Sequence, residues 1–151
     1  QLMNDSYYNF LSAIFSSKAI NPINFELEIT ETTISDNISI ATQKLNQFKN
    51  LGVKIALDDF GTGYSSLNNL LDFPIDTIKI DKDILEHNNK KREALVSSLL
   101  FMSEKMSLSV IAEGVETLDQ VKFYESLNQR VFQGYYFCKP LQLSESIKMN
   151  I

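Results

Sequence analysis

Val53-Lys54-Ile55-Ala56-Leu57-Asp58-Asp59 is a short apolar run that ends on two adjacent carboxylates. Four other segments share its design. Phe25-Glu26-Leu27-Glu28-Ile29-Thr30-Glu31 carries Glu28, and Thr77-Ile78-Lys79-Ile80 carries Lys79. Val110-Ile111-Ala112 runs into Glu113, and Arg130-Val131-Phe132 runs into Gln133. Each is of strand length, and helix-length stretches lie between them. Strand–helix alternation with polar groups at strand ends is how an α/β barrel assembles an active site at one rim. The expected strands are 25–30, 53–57, 77–80, 109–112 and 130–133.

The intervening stretches read as helices. Tyr7, Phe10, Leu11, Ile14 and Phe15 share one face of a helix from Tyr7 to Ser17, which Asn21-Pro22 breaks. Ser35 or Asp36 caps a helix to about Leu51, where Gly52 ends it. A short helix is expected over 65–71, then helices over about 92–106 and 117–128, the latter opened by Thr117, and a last one near 144–150. No linker divides the chain, so 1–151 read as a single domain.

Successive residues of a strand face opposite sides. Leu27 and Ile29 therefore oppose Glu26, Glu28 and Thr30. Ile78 and Ile80 oppose Thr77, Lys79 and Asp81, and Val53, Ile55 and Leu57 oppose Lys54, Ala56 and Asp58. Glu28, Asp58 and Lys79 fall on one side of one sheet, facing the barrel interior.

Composition narrows the function classes. The chain has 151 residues, a net charge of −5 and 44% hydrophobic residues, which fits a folded domain with a core. It has no dense basic stripe, which argues against a nucleic-acid polymer as partner. One cysteine, Cys138, and one histidine, His87, exclude an internal disulfide and a usual zinc cage. There is no signal-like pattern and no apolar run of bilayer length, so the expected setting is cytoplasmic and reducing, or the cytoplasmic domain of a larger signalling protein.

Glu28, Asp58, Asp59 and Glu113 would crowd four carboxylates together, and a divalent cation relieves their repulsion. All-oxygen ligands favour Mg²⁺ or Mn²⁺, with Ca²⁺ for a looser cage. Adjacent Asp58 and Asp59 are expected to diverge and so to serve two ions, suited to phosphodiester cleavage. Lys79 supplies a cation for the nucleophilic water or for developing charge. Taken singly, each feature has a plainer reading. Asp-Asp after a strand is usually a cap or turn, a lone lysine snorkels to solvent, and Gly61-Thr62-Gly63 merely permits a turn. Glu26 and Glu116 read as solvated, His87 as part of an exposed loop, Cys138 as a packed residue, and Tyr135-Tyr136-Phe137 as core or rim packing. The argument rests on the set.

Taken together, Glu28-Ile29-Thr30-Glu31, Asp58-Asp59-Phe60-Gly61-Thr62-Gly63-Tyr64-Ser65-Ser66-Leu67, Ile78-Lys79-Ile80-Asp81, Ile111-Ala112-Glu113-Gly114-Val115-Glu116-Thr117 and Gln133-Gly134-Tyr135 resemble the EAL family of bacterial cyclic di-GMP phosphodiesterases. The resemblance implies a TIM-type (β/α)8 barrel with one antiparallel strand, and two-metal hydrolysis of cyclic di-GMP to linear pGpG with Mg²⁺ or Mn²⁺. It implies that Glu28 is a ligand of the first metal, Asp58 bridges both and Asp59 binds the second, with Glu113 beside it. Lys79 matches the lysine on the nucleophilic water. Gln133 and Asp81 match substrate-binding positions. Glu31 matches the anchor of the loop from Phe60 to Ser65, which supports metal binding and homodimer formation.

The family barrel is larger than this chain, which holds about five of its eight strands. The resemblance therefore implies the C-terminal portion of an EAL domain, without the namesake glutamate and a metal-binding asparagine. Glu93-Ala94-Leu95 repeats the namesake letters inside a helical stretch, in the wrong order relative to the other motifs. Weak or absent turnover is expected of the chain alone, and an incomplete sheet exposes edges that favour pairing. The alternative is a non-catalytic module that binds cyclic di-GMP or a protein partner.

Overall fold

The computed structural model describes residues 2, 4–17, 20–30, 38–61, 67–85 and 90–146. Four strands lie in chain order in one parallel sheet: β1 (Glu26–Thr30), β2 (Lys54–Phe60), β3 (Thr77–Ile80) and β4 (Ser109–Ala112). Helix α1 (Asp5–Ser16) precedes them. Helices α2 (Ile38–Asn50), α3 (Leu67–Asp72) and α4 (Lys90–Lys105) form the successive crossovers, and α5 (Leu118–Ser126) and α6 (Leu143–Ser146) follow. Parallel neighbours require such crossovers, because a tight turn can only reverse the chain. The architecture is α/β, a partial barrel.

The core forms where sheet meets helices. Val53, Ile55 and Leu57 of the β2 segment and Ile78 and Ile80 of β3 are buried with Leu45 and Phe48 of α2 and Val96 and Leu99 of α4. These strand residues are the alternate positions assigned to the helix side. All of β3 is buried on both faces, including Thr77 and Lys79. At the lower end, Asp76 accepts from Lys49 Nζ at 2.6 Å and from the backbone N–H of Ile55 at 2.8 Å, tying α2 to the start of β2.

Helix ends follow local chemistry. Asn4 caps α1 by accepting from the Ser6 N–H at 2.9 Å, so the helix starts ahead of Tyr7. Thr117 and Gln120 form a capping box on α5, and Gln120 Oε1 also accepts from the N–H of Glu116 at 2.8 Å. That bond fixes the loop just beyond Glu113. Gly52, at φ +88°, ends α2 in the left-handed conformation that favours glycine. Ser35 and Asp36, the expected caps of α2, and His87 lie outside the described residues, as does the start of the helix expected from Ser65.

Three expectations are corrected. Strand β2 does not stop at Leu57 but continues through Asp58 and Asp59 to Phe60. The strand expected at 130–133 is one parallel bridge between Ala112 and Phe132, because the chain turns away at Gly134. A Cβ on Gly134 would lie 2.1 Å from the carbonyl oxygen of Val115, so only glycine allows this crossing. Beyond it, Tyr135, Tyr136 and Phe137 are exposed, with Phe137 stacked on Phe132, which leaves packing at the surface, and not the core, of the two places expected for them. Cys138 is exposed instead of packed.

Gly134→Ala is expected to destabilise the chain by about 1–3 kcal/mol through overpacking. Urea unfolding checks this, with a lowered midpoint as the expected result.

Candidate functional site

The inward face of the sheet is polar in two tiers. In the lower tier, Thr77 Oγ1 donates to Glu26 Oε1 at 2.6 Å, so Glu26 is half-buried and structural, not a solvated surface residue. Two residues further along both strands, Lys79 Nζ donates to Glu28 Oε1 at 2.7 Å. Strand β2 lies between these partners, and Ala56 pairs with Glu28 on one side and Thr77 on the other. The small alanine methyl leaves the ammonium room to cross to β1.

Lys79 is 3% exposed, which excludes snorkelling to solvent. Besides Glu28 it meets Glu113 Oε1 at 2.8 Å and Asp58 Oδ1 at 3.3 Å. Three carboxylates thus share one ammonium. Two negative charges stay uncompensated, which is the charge of one divalent cation.

Asp59 reaches this site through a bulge. From Leu57 to Phe60, β2 advances three residues while β3 advances two, from Ile78 to Ile80. Asp59 takes up the extra residue at φ +55°, a left-handed conformation that aspartate tolerates better than most side chains. Strict alternation would send Asp59 to the helix side. With the bulge, one carboxylate oxygen each from Asp58, Asp59 and Glu113 lie within 4.8 Å of one another. The two aspartates therefore converge on one place where divergence was expected.

The electrostatics match this crowding. Partial desolvation and the charges of Asp58 and Asp81 push the Asp59 carboxyl up from its ordinary value. Burial and a hydrogen bond with Asp58 raise Glu113, against the opposing pull of Lys79. Burial works against the Lys79 charge, but hydrogen bonds to Glu113 and Glu28 outweigh it and hold the ammonium above the usual lysine range. Hard oxygen donors at this spacing, short of positive charge, fit Mg²⁺ or Mn²⁺.

The other sequence-derived candidates are placed differently. Asp81 Oδ1 accepts from the N–H of Asp83 at 2.7 Å and caps the 3₁₀ turn Lys82–Leu85. Its charge also reaches Tyr124, whose buried hydroxyl has no hydrogen-bond partner among the described residues and is pushed up chiefly by burial. Gln133 is exposed, and its backbone pairs with Ala112 and Val115. Among the described residues, no hydrogen bond joins its side chain to the Lys79 cluster. Glu31 lies outside the described residues, as does most of the loop after Gly61. Sequence reading missed the ion pair of Lys82 with Glu116 at 2.9 Å, which lies over Gly114. Opposite charges flanking Gly114 on two motif loops were the available signal. Glu93-Ala94-Leu95 lies on α4, within a helix as expected.

The EAL domain family matches residues 1–140. Cyclic di-GMP phosphodiesterase PdeR of Escherichia coli is 34% identical over 145 residues, covering 93% of this chain and 22% of PdeR. The chain spans 18% to 22% of the length of three curated relatives that it matches. Among solved structures, the EAL enzyme Bd1971 in its cAMP and cyclic-di-GMP bound form superposes with a TM-score of 0.90 at 36% identity, over 97% of this chain and 39% of that one. Klebsiella pneumoniae BlrP1, in a manganese and cyclic di-GMP complex, gives 0.81 at 33% identity, over 87% and 34%.

Lys79→Met removes the one cation shared by three carboxylates, and a loss of about 3 kcal/mol at neutral pH is expected. The folded carboxyl groups of the variant then resist ionisation more than the unfolded ones do. The folded state binds more protons, so stability falls as pH rises and recovers on acidification. Thermal unfolding at pH 4.5 and 7.5 checks both sign and size.

Proposed function

This chain belongs to the EAL domain family, and from that premise we propose that it is the phosphodiesterase portion of a signalling protein, acting on cyclic di-GMP to give linear pGpG. The observation that carries this reading is the buried Lys79 ammonium shared by Glu28, Asp58 and Glu113, with Asp59 turned toward the same rim. Such a site is anionic overall yet holds a fixed cation, as phosphodiester hydrolysis requires.

In this reading Glu28, Asp58, Asp59 and Glu113 hold Mg²⁺ or Mn²⁺. Two such ions, when bound, supply Lewis acidity for the phosphoryl oxygens and a more acidic water. Asp58, on the strand between those of Glu28 and Lys79, would be the ligand shared by both ions, as the family resemblance implies. Lys79 would offset charge that builds on the phosphoryl group, and an N–H released when an ion takes over Asp58 or Glu113 would orient the nucleophilic water. Gln133 and Asp81 contact the dinucleotide from the rim, with Asp81 held by its bond to the Asp83 N–H. Glu31 anchors the loop after Phe60, and that loop supports a homodimer.

Residues 1–151 act as the C-terminal portion of an EAL barrel, in a cytoplasmic setting. Among the described residues, no helix is long and apolar enough to cross a membrane. The chain alone turns over slowly, since two ions need more ligands than this carboxylate set provides.

Hydrolysis of cyclic di-GMP with Mn²⁺ by the 151-residue chain tests this reading. Slow formation of pGpG is expected, lowered at least about 100-fold by Asp58→Asn. Mn²⁺-dependent binding of cyclic di-GMP without hydrolysis would favour a sensing module. Turnover indifferent to Asp58→Asn, or neither binding nor turnover, would overturn the proposal.

A further inference from the structure

We propose that Lys82 is a positioning residue for Glu113: its stem and ammonium clasp the turn after β4 and so keep the Glu113 carboxylate at the cation site. This inference rests on the metal-binding reading above and adds to it a residue from the neighbouring loop. The four carboxylates are not held alike. Glu28, Asp58 and Asp59 are members of strands β1 and β2, whereas Glu113 lies just past the end of β4. Its backbone N–H still reaches the Ile80 carbonyl at 2.9 Å, but the next residue is Gly114, at φ +59°. Glycine restrains its own backbone less than any other residue, so the placing of the carboxylate depends on what covers the turn.

Lys82 covers it. A Cβ on Gly114 would lie 2.8 Å from Cβ and Cδ of Lys82 and 2.9 Å from its Cγ, so the lysine stem rests directly on the glycine. Its Nζ then meets Glu116 Oε1 at 2.9 Å, further along the same turn. The lysine stands on a firm base. Asp81 caps the 3₁₀ turn Lys82–Leu85, and Arg92 of α4 donates to the carbonyl of Asp83 within it. The clasp thus joins the loop after β3 to the loop after β4, with Gly114 under the stem. The two side chains are 44% and 50% exposed, so their pairing adds little to global stability. Its effect is local, on a turn that begins at Glu113.

Mn²⁺ titration followed by electron paramagnetic resonance, with amide hydrogen exchange of the ion-free chain, tests this on Lys82→Met and Glu116→Gln. Lys82→Met keeps most of the stem and removes the charge. The two substitutions change the charge beside the site in opposite directions. A field effect alone would tighten Mn²⁺ in Lys82→Met and weaken it in Glu116→Gln. Positioning predicts weaker Mn²⁺ binding in both, by roughly tenfold. It also predicts faster exchange of the Glu113 and Glu116 N–H groups in both, with the urea midpoint nearly unchanged. Lys82→Arg, which keeps stem and charge, should restore both readouts. Opposite effects of the two substitutions on Mn²⁺, or exchange at the turn unchanged by either, would overturn the proposal. No Mn²⁺ binding by the unaltered chain would sink the metal reading, and the exchange rates would still decide the clasp.

Discussion

One buried ammonium organises the inner face of this sheet. Lys79 comes from the middle of β3, a strand buried on both faces, and among the described residues its charge is met by carboxylates of β1, β2 and the end of β4. A buried lysine without partners would lose its proton or unfold the region, so the strands must sit in the register that brings Glu28, Asp58 and Glu113 to it. The reverse also holds: the carboxylates tolerate one another because the ammonium lies among them. Packing fixes where the strands go, and this ionic cluster adds a strict condition on their register.

The second constraint is the bulge in β2. A regular strand would offer the rim Asp58 alone and turn Asp59 toward the helices. The extra residue, with Asp59 at φ +55°, costs a strained backbone but returns a third oxygen donor to the cluster. Strain at the one non-glycine residue that needs to be re-aimed is what a binding site requires and what a core would not select. Phe60 then becomes a core residue, buried next to the loop glycine.

The lower tier and the loop caps hold this geometry in place. Thr77 on Glu26 ties β3 to β1 beneath Lys79, and Asp76 braces α2 against β2. On the rim side, the Gln120 amide oxygen takes the N–H groups of Glu116 and Thr117, which fixes the turn that follows Glu113. None of these groups touches the Lys79 ammonium, yet each limits how far the carboxylates around it can drift.

The sequence by itself determined the four strands, their inward and outward faces, and the residues Glu28, Asp58, Lys79 and Glu113 as one set. A period of two and a polar residue at each strand end are local signals, readable without coordinates. It also carried the family motifs in order. Only the tertiary structure decided that a bulge turns Asp59 onto the same place as Asp58, that the segment at 130–133 makes a single bridge, and that Glu26 is a half-buried hydrogen-bond partner. It also decided that Tyr135, Tyr136, Phe137 and Cys138 face solvent. Bulges, close backbone crossings and exposure depend on what the neighbouring strand or loop presents at that point. No window along the chain contains that information, because the contacts that fix it join residues from about 20 to more than 50 positions apart.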